Sequence, residues 1–262
     1  WLPLMRQLRG SYRLIAPDLP GWGESTRRRG ADYGPLAQSE RVREFLAAID
    51  AGAPAAADGT HPTMRAPARP PALVVGHSMG GQILGLLAAR HPEAVGPIVL
   101  MDSAGVPFQA NDFGRGVLAG RNPFEVHSSA ELHRFLHIVY TDPPWVPWPV
   151  DVAIARQRAH QADFEQSVLD RIGRGPEALE LSRRLGQIQS PVLLLWCRDD
   201  AVIDVSAADS FRAGLHDSRT VLLDDCGHMP MMAKPKAVAA AISAFARRKA
   251  RRPAGVPSFA GM

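Results

Sequence analysis

The sequence predicts an α/β fold: a mostly parallel sheet with helices on both faces and a block of helices inserted between two of its strands. Three observations predict it. Ala72–Val75, Ile98–Met101 and Val192–Trp196 are short, continuous apolar runs, which is how strands buried on both faces read. Segments with helical spacing alternate with them, the order that parallel sheets require. From about Gly105 to Leu185 the pattern changes to irregular, mainly helical stretches. The chain's 262 residues suffice for one large domain with a full core.

Taken in order, Tyr12–Ala16 (YRLIA) reads as a buried strand, and the following Pro17-Asp18-Leu19-Pro20-Gly21-Trp22-Gly23 as its tight loop. Leu36 to Ile49 places Val42, Phe45, Leu46 and Ile49 on one helix face. Residues 51–71 are rich in Ala, Pro and Gly without periodicity and read as a loop insertion. Ala72–Val75 is a strand, Met79 to Arg90 a helix and Ile98–Met101 a strand. After the helical block, which contains the Pro-rich run from Asp142 to Pro149, come the strand Val192–Trp196 and a helix from Val205 to Leu215. A short strand at Val221–Leu223 and a closing helix from Pro235 to Lys249, with proline in its first turn, complete the pattern. Residues 1–104 and 186–262 are therefore read as the core and 105–185 as a helical cap. No internal repeat is visible.

Hydrophobic residues make up 46% and charged residues 21%, ordinary for a globular protein. No apolar run reaches the length of about 18 residues that a membrane-spanning helix needs. The net charge of +4 is carried by Arg247, Arg248, Lys249, Arg251 and Arg252, and the body is near neutral. That excludes a nucleic-acid groove. The cluster reads as a solvated helix end, with peripheral membrane contact as the lesser alternative. Cys197 and Cys226 are the only cysteines. Each follows a predicted strand, and two reduced thiols are expected in preference to a disulfide, in line with a cytoplasmic location. The usage of Ala, Arg, Pro and Gly fits a GC-rich bacterial source.

Gly76-His77-Ser78-Met79-Gly80-Gly81 has the form G-x-S-x-G, directly after a strand and directly before a helix. A serine on so sharp a turn sits in a strained backbone conformation, which small neighbours at Gly76 and Gly80 make room for. Gly81 lets the helix approach. The turn lifts the Ser78 hydroxyl above the sheet and aims the Met79 N–H at a developing oxyanion. A serine hydroxyl needs a base. Of nine histidines, His228 stands just after the last strand, in Asp225-Cys226-Gly227-His228-Met229-Pro230, and returns to the same sheet edge. A carboxylate must orient it. Asp199, Asp200 and Asp204 follow the preceding strand, with Asp200 favoured, and Asp102 after Ile98–Met101 is a minority candidate.

Together these residues resemble the α/β-hydrolase superfamily, and within it bacterial lipases and esterases similar to monoacylglycerol lipases. The likeness covers nearly the whole chain. Residues 17–25 look like the loop after the family's fourth strand, and 100–106 like the entry to its cap. Ile203-Asp204-Val205-Ser206 and residues 226–231 look like its acid and histidine regions. The resemblance implies Ser78, Asp200 and His228 as a catalytic triad, and an α/β-hydrolase fold that is N-terminally truncated here. Relatives have earlier strands and a His-Gly loop supplying a second oxyanion N–H, whereas this chain opens at Trp1. On that reading only the Met79 donor remains, which costs about 10²–10³ in turnover.

The implied reaction is hydrolysis of a small-molecule ester with an apolar acyl group, through an acyl-enzyme and without metal or organic cofactor. Phe135, Val139, Trp145 and Trp148 of the cap, with Trp22 and His77, are candidates for lining the acyl pocket. Carbon–carbon bond hydrolases, cofactor-free peroxidases and acyltransferases share such a triad. A non-catalytic binding protein is the alternative of another class.

Overall fold

The computed structural model describes residues 1–50, 71 and 73–250. The insertion read at 51–71 and the end of the basic cluster, Arg251 and Arg252, lie outside the described residues, Pro71 excepted. Two helices, α1 (Leu2–Leu8) and α2 (Pro35–Asp50), precede the sheet. Strand β1 (Val74–His77) leads through Ser78 into α3 (Met79–Arg90), and β2 (Ile98–Met101) follows. Five helices then come before β3 (Val192–Cys197): α4 (Asp112–Leu118), α5 (Ser129–Val139), α6 (Val150–Ala159), α7 (Ala162–Gly173) and α8 (Glu180–Arg184). The chain closes with α9 (Ser206–Gly214), β4 (Ser218–Leu223), α10 (Pro230–Ala233) and α11 (Pro235–Ala250).

The four strands form one parallel sheet in the order β1-β2-β3-β4. Their apolar residues divide by parity, because successive side chains point to opposite faces. Ile98, Leu100, Val192, Leu194 and Trp196 bury into one core with Leu86 and Leu87 of α3 and Phe211 of α9. Val99, Met101, Leu193 and Leu195 bury into the other, with Leu4 and Leu8 of α1 and Val238, Ile242 and Phe245 of α11. Burial on both faces is why these runs are continuous in sequence. β4 starts three residues earlier than its apolar run implied. Among the described residues it is an edge strand with no neighbour on its outer side, so Ser218, Arg219 and Thr220 are tolerated in it.

Tyr12–Ala16 is not a strand. Tyr12 and Leu14 pack against the core beneath α1 and α11, while Arg13 and Ile15 face solvent, Ile15 being 48% exposed. The segment has the alternation of a strand but no ladder partner, since β1 ends the sheet on that side among the described residues. Without inter-strand hydrogen bonds an extended segment remains a loop. No helix of the described residues is long and apolar enough to cross a membrane.

Candidate active site

Ser78 occupies the one-residue turn between β1 and α3, with φ 53° and ψ −121°. Only a few per cent of residues other than glycine adopt positive φ, and such strain gathers at functional sites. The turn is held by its neighbours: Ser78 N–H donates to the Met101 carbonyl at 3.0 Å, and the Ser78 carbonyl accepts from Ala104 N–H at 3.1 Å. Two glycines make the close approach possible. A Cβ at Gly76 would lie 2.4 Å from the Gly80 carbonyl oxygen, and one at Gly81 would lie 2.3 Å from Ser103 Oγ. Gly80 differs from expectation, because outside its own helix a Cβ there would meet open space. The room is needed on the strand side and on the sheet-facing side of α3. Met79, the first residue of α3, belongs to the turn whose N–H groups have no partner within the helix.

The structure brings Ser78, His228 and Asp200 together. Ser78 Oγ is 2.9 Å from His228 Nε2, and His228 Nδ1 is 2.8 Å from Asp200 Oδ2. Asp200 and His228 are both buried. The other Asp200 oxygen, Oδ1, accepts the N–H groups of Val202 at 2.8 Å and Ile203 at 3.1 Å, which leaves Oδ2 to the imidazole. His228 is fixed at its main chain as well: its N–H donates to the Val139 carbonyl at the end of α5, at 2.9 Å.

The other carboxylates at this edge do different things. Asp204 caps the start of α9 by accepting the Ser206 N–H at 2.9 Å. Asp199 accepts the Thr141 hydroxyl and, at 3.3 and 3.4 Å, the N–H groups of Cys226 and Gly227. Burial alone would raise the Asp199 carboxyl; the bonds from Thr141 and the two N–H groups outweigh it and hold the carboxyl below the usual value. Asp102 is fully buried with φ 41°, and its Oδ1 accepts the Cys197 N–H at 2.9 Å while Oδ2 has no partner. Burial first, and then the charge of Asp200, push its carboxyl well above the ordinary range.

Cys197 and Cys226 form a disulfide, in place of the two thiols expected from the sequence. Their Cα atoms are 5.7 Å apart, within bridging distance, because adjacent parallel strands β3 and β4 end side by side. The bond joins the end of the strand that leads to Asp200 to the loop that carries His228.

The residues read as pocket lining are scattered. Trp145 and Trp148 are 84% and 79% exposed. The prolines around them keep the stretch between α5 and α6 out of helix. Phe135 packs edge-on against Phe124, with the Arg158 guanidinium over its ring. Val139 is buried with its carbonyl on His228. Trp22 packs against Phe164 of α7 at 5.3 Å. His77, like Val139, touches the site through His228, its Nε2 on the His228 main-chain oxygen and its ring against the His228 ring.

Residues 1–241 match the alpha/beta hydrolase family. The chain belongs to that family. Lipase 1 of Psychrobacter immobilis is 29% identical over 234 residues, spanning 87% of this chain and 67% of the lipase. A monoacylglycerol lipase of Homo sapiens is 24% identical over 94% of this chain and 70% of its own length. Among solved structures, a membrane phospholipase A described as a novel bacterial virulence factor superposes with a TM-score of 0.82 at 31% identity, covering 96% of this chain and 75% of that one. In this hydrolase, then, the elbow, the buried histidine and the buried carboxylate stand together at the carboxyl ends of β1, β3 and β4.

Proposed function

We propose that this chain hydrolyses carboxylic esters through an acyl-enzyme, with Ser78 as nucleophile, His228 as general base and Asp200 as the acid that orients it. The observation that carries the reading is the unbroken pair of hydrogen bonds, 2.9 Å from Ser78 to His228 and 2.8 Å from His228 to Asp200. A carboxylate on Nδ1 fixes the tautomer in which Nε2 is free to take a proton.

Ser78 Oγ attacks the ester carbonyl carbon as its proton passes to His228 Nε2. The carbonyl oxygen becomes an oxyanion facing the Met79 N–H, and Asp200 stabilises the imidazolium. The tetrahedral adduct collapses, and His228 returns the proton to the departing alkoxide, which leaves as the alcohol. Water then gives a proton to His228 as it attacks the acyl carbon, and when the acid departs His228 passes that proton to Ser78 Oγ, restoring both residues. The names of the relatives, lipase and monoacylglycerol lipase, support a substrate with an apolar acyl group. The helical segment 105–185 is assigned as a cap over the site, on a core of 1–104 and 186–262.

Labelling with a fluorophosphonate tests this directly. The adduct is expected on Ser78 and is expected to vanish in Ser78→Ala, together with p-nitrophenyl ester turnover. Label on another residue, or turnover that survives the substitution, overturns the reading.

A further inference from the structure

His77 precedes the nucleophile and lies against the base, and the triad gives it no task. Its Nε2 is 2.7 Å from the main-chain oxygen of His228. A carbonyl oxygen only accepts, so His77 Nε2 carries the hydrogen and donates it. The two imidazole rings are 4.7 Å apart at their centroids, and the Trp1 ring meets that of His77 edge-on at 6.5 Å. The contact therefore runs from the last residue of β1 to the loop after β4, across the full width of the sheet.

That loop needs holding. Asp225 and Gly227, which flank Cys226, both have positive φ, at 54° and 56°. A left-handed residue other than glycine, such as Asp225, is unfavourable on its own and keeps its shape only when its surroundings hold it. The His228 main chain is fixed on both sides instead: its N–H by the Val139 carbonyl, and its carbonyl by His77.

We propose that His77 is a positioning residue for the base, its Nε2–H holding the His228 carbonyl so that the His228 ring meets Ser78 and Asp200 together. The inference rests on the ester-hydrolase reading above. It also requires His77 to be neutral, since a second cation against the His228 ring would oppose formation of the imidazolium. Burial of the ring, and next the charge of His228, lower the basicity of His77 well below that of free histidine. The neutral form still has the Nε2–H that the bond uses.

Two substitutions of similar polarity but different reach test the idea. In His77→Gln the side-chain amide extends about as far as Nε2 and can still donate to the His228 oxygen. In His77→Asn it falls short. We expect His77→Asn to lower kcat by about tenfold with KM within twofold of wild type, because misplacement of a catalytic group by a fraction of an ångström acts on the chemical step. His77→Gln should recover most of that loss, and the fluorophosphonate labelling rate of Ser78 should follow kcat in both. An NMR titration of the His228 ring, which needs no turnover, should place its pKa close to wild type in the Gln variant and displaced in the Asn variant. Equal activity and equal His228 titration in both variants and wild type overturn the proposal, and so does equal loss in both. If the wild type neither turns over esters nor labels, it is the ester reading that fails, and the His228 titration still decides the role of His77.

Discussion

Removal of the Cys197–Cys226 disulfide should cost stability by an amount the structure fixes. The two residues are 29 apart in sequence, so the bond closes a loop of that size in the unfolded chain. Loop-closure entropy for it amounts to about 3.6 kcal/mol at 25 °C. Cys197→Ala/Cys226→Ala should therefore lower the unfolding free energy by about that much and the melting temperature by about 10 °C. Equilibrium urea unfolding of the double variant and of wild type, each with and without phosphine reductant, measures it. Both cysteines are 0% exposed, so the reductant should act slowly on the folded protein and quickly in urea. Thiol titration of the denatured wild type should find none free. Two titratable thiols, or a loss below about 1 kcal/mol, would refute the reasoning, the first by removing the bond and the second by showing that its closure entropy is offset.

Asp200→Asn should reduce kcat by about 10³–10⁴ with little change in KM, since an amide on Nδ1 favours the wrong imidazole tautomer; steady-state ester kinetics check it, and a loss under tenfold would move the orienting role elsewhere. Asp102→Asn should behave oppositely. The native Asp102 carboxyl is raised by burial and by Asp200, so the folded state keeps a proton that the unfolded state releases above about pH 4. Stability is then lost as pH rises through that window toward the raised native value. Asparagine has no proton to lose, keeps an acceptor for the Cys197 N–H and tolerates φ 41°, so the variant should gain on wild type in melting temperature as pH rises from 4 to 7. Gly81→Ala should destabilise by about 1–3 kcal/mol, because its Cβ would sit 2.6 Å from Ser103 Cβ; urea unfolding reads the loss, and a neutral result would mean that Ser103 and its turn can move.

The features legible in the sequence were those fixed by local chemistry. An apolar run before Gly76-His77-Ser78-Met79-Gly80 and a helical pattern after it place Ser78 on a strand-to-helix turn, and the chain order of Ser78, Asp200 and His228 follows the strands. What stayed hidden depended on neighbours distant in sequence. Tyr12–Ala16 is apolar enough for a strand, but only the sheet order tells whether a ladder partner lies beside it. The disulfide depends on β3 and β4 being adjacent and ending level, which spacing along the chain does not encode. Asp199 and Asp200 are consecutive carboxylates on one turn, and their separate duties follow from which of them faces the imidazole and which the loop N–H groups. Trp145 and Trp148 are apolar residues of the predicted cap, and their exposure depends on how a proline-rich stretch packs, which the sequence does not encode.

The position of β1 has a consequence for anyone preparing this protein. Among the described residues it is the outermost strand on its side of the sheet, and Tyr12–Ala16 does not pair with it. Its outward N–H and C=O groups have no strand partner among the described residues, and such groups pair with any extended chain laid beside them. β1 ends in His77 and passes straight into Ser78. Whatever occupies that edge, a neighbouring molecule in a concentrated sample or an extended peptide, grips the same backbone that holds the nucleophile. A hydrogen bond made to that edge is therefore made to the four-residue strand that leads into the turn of the nucleophile.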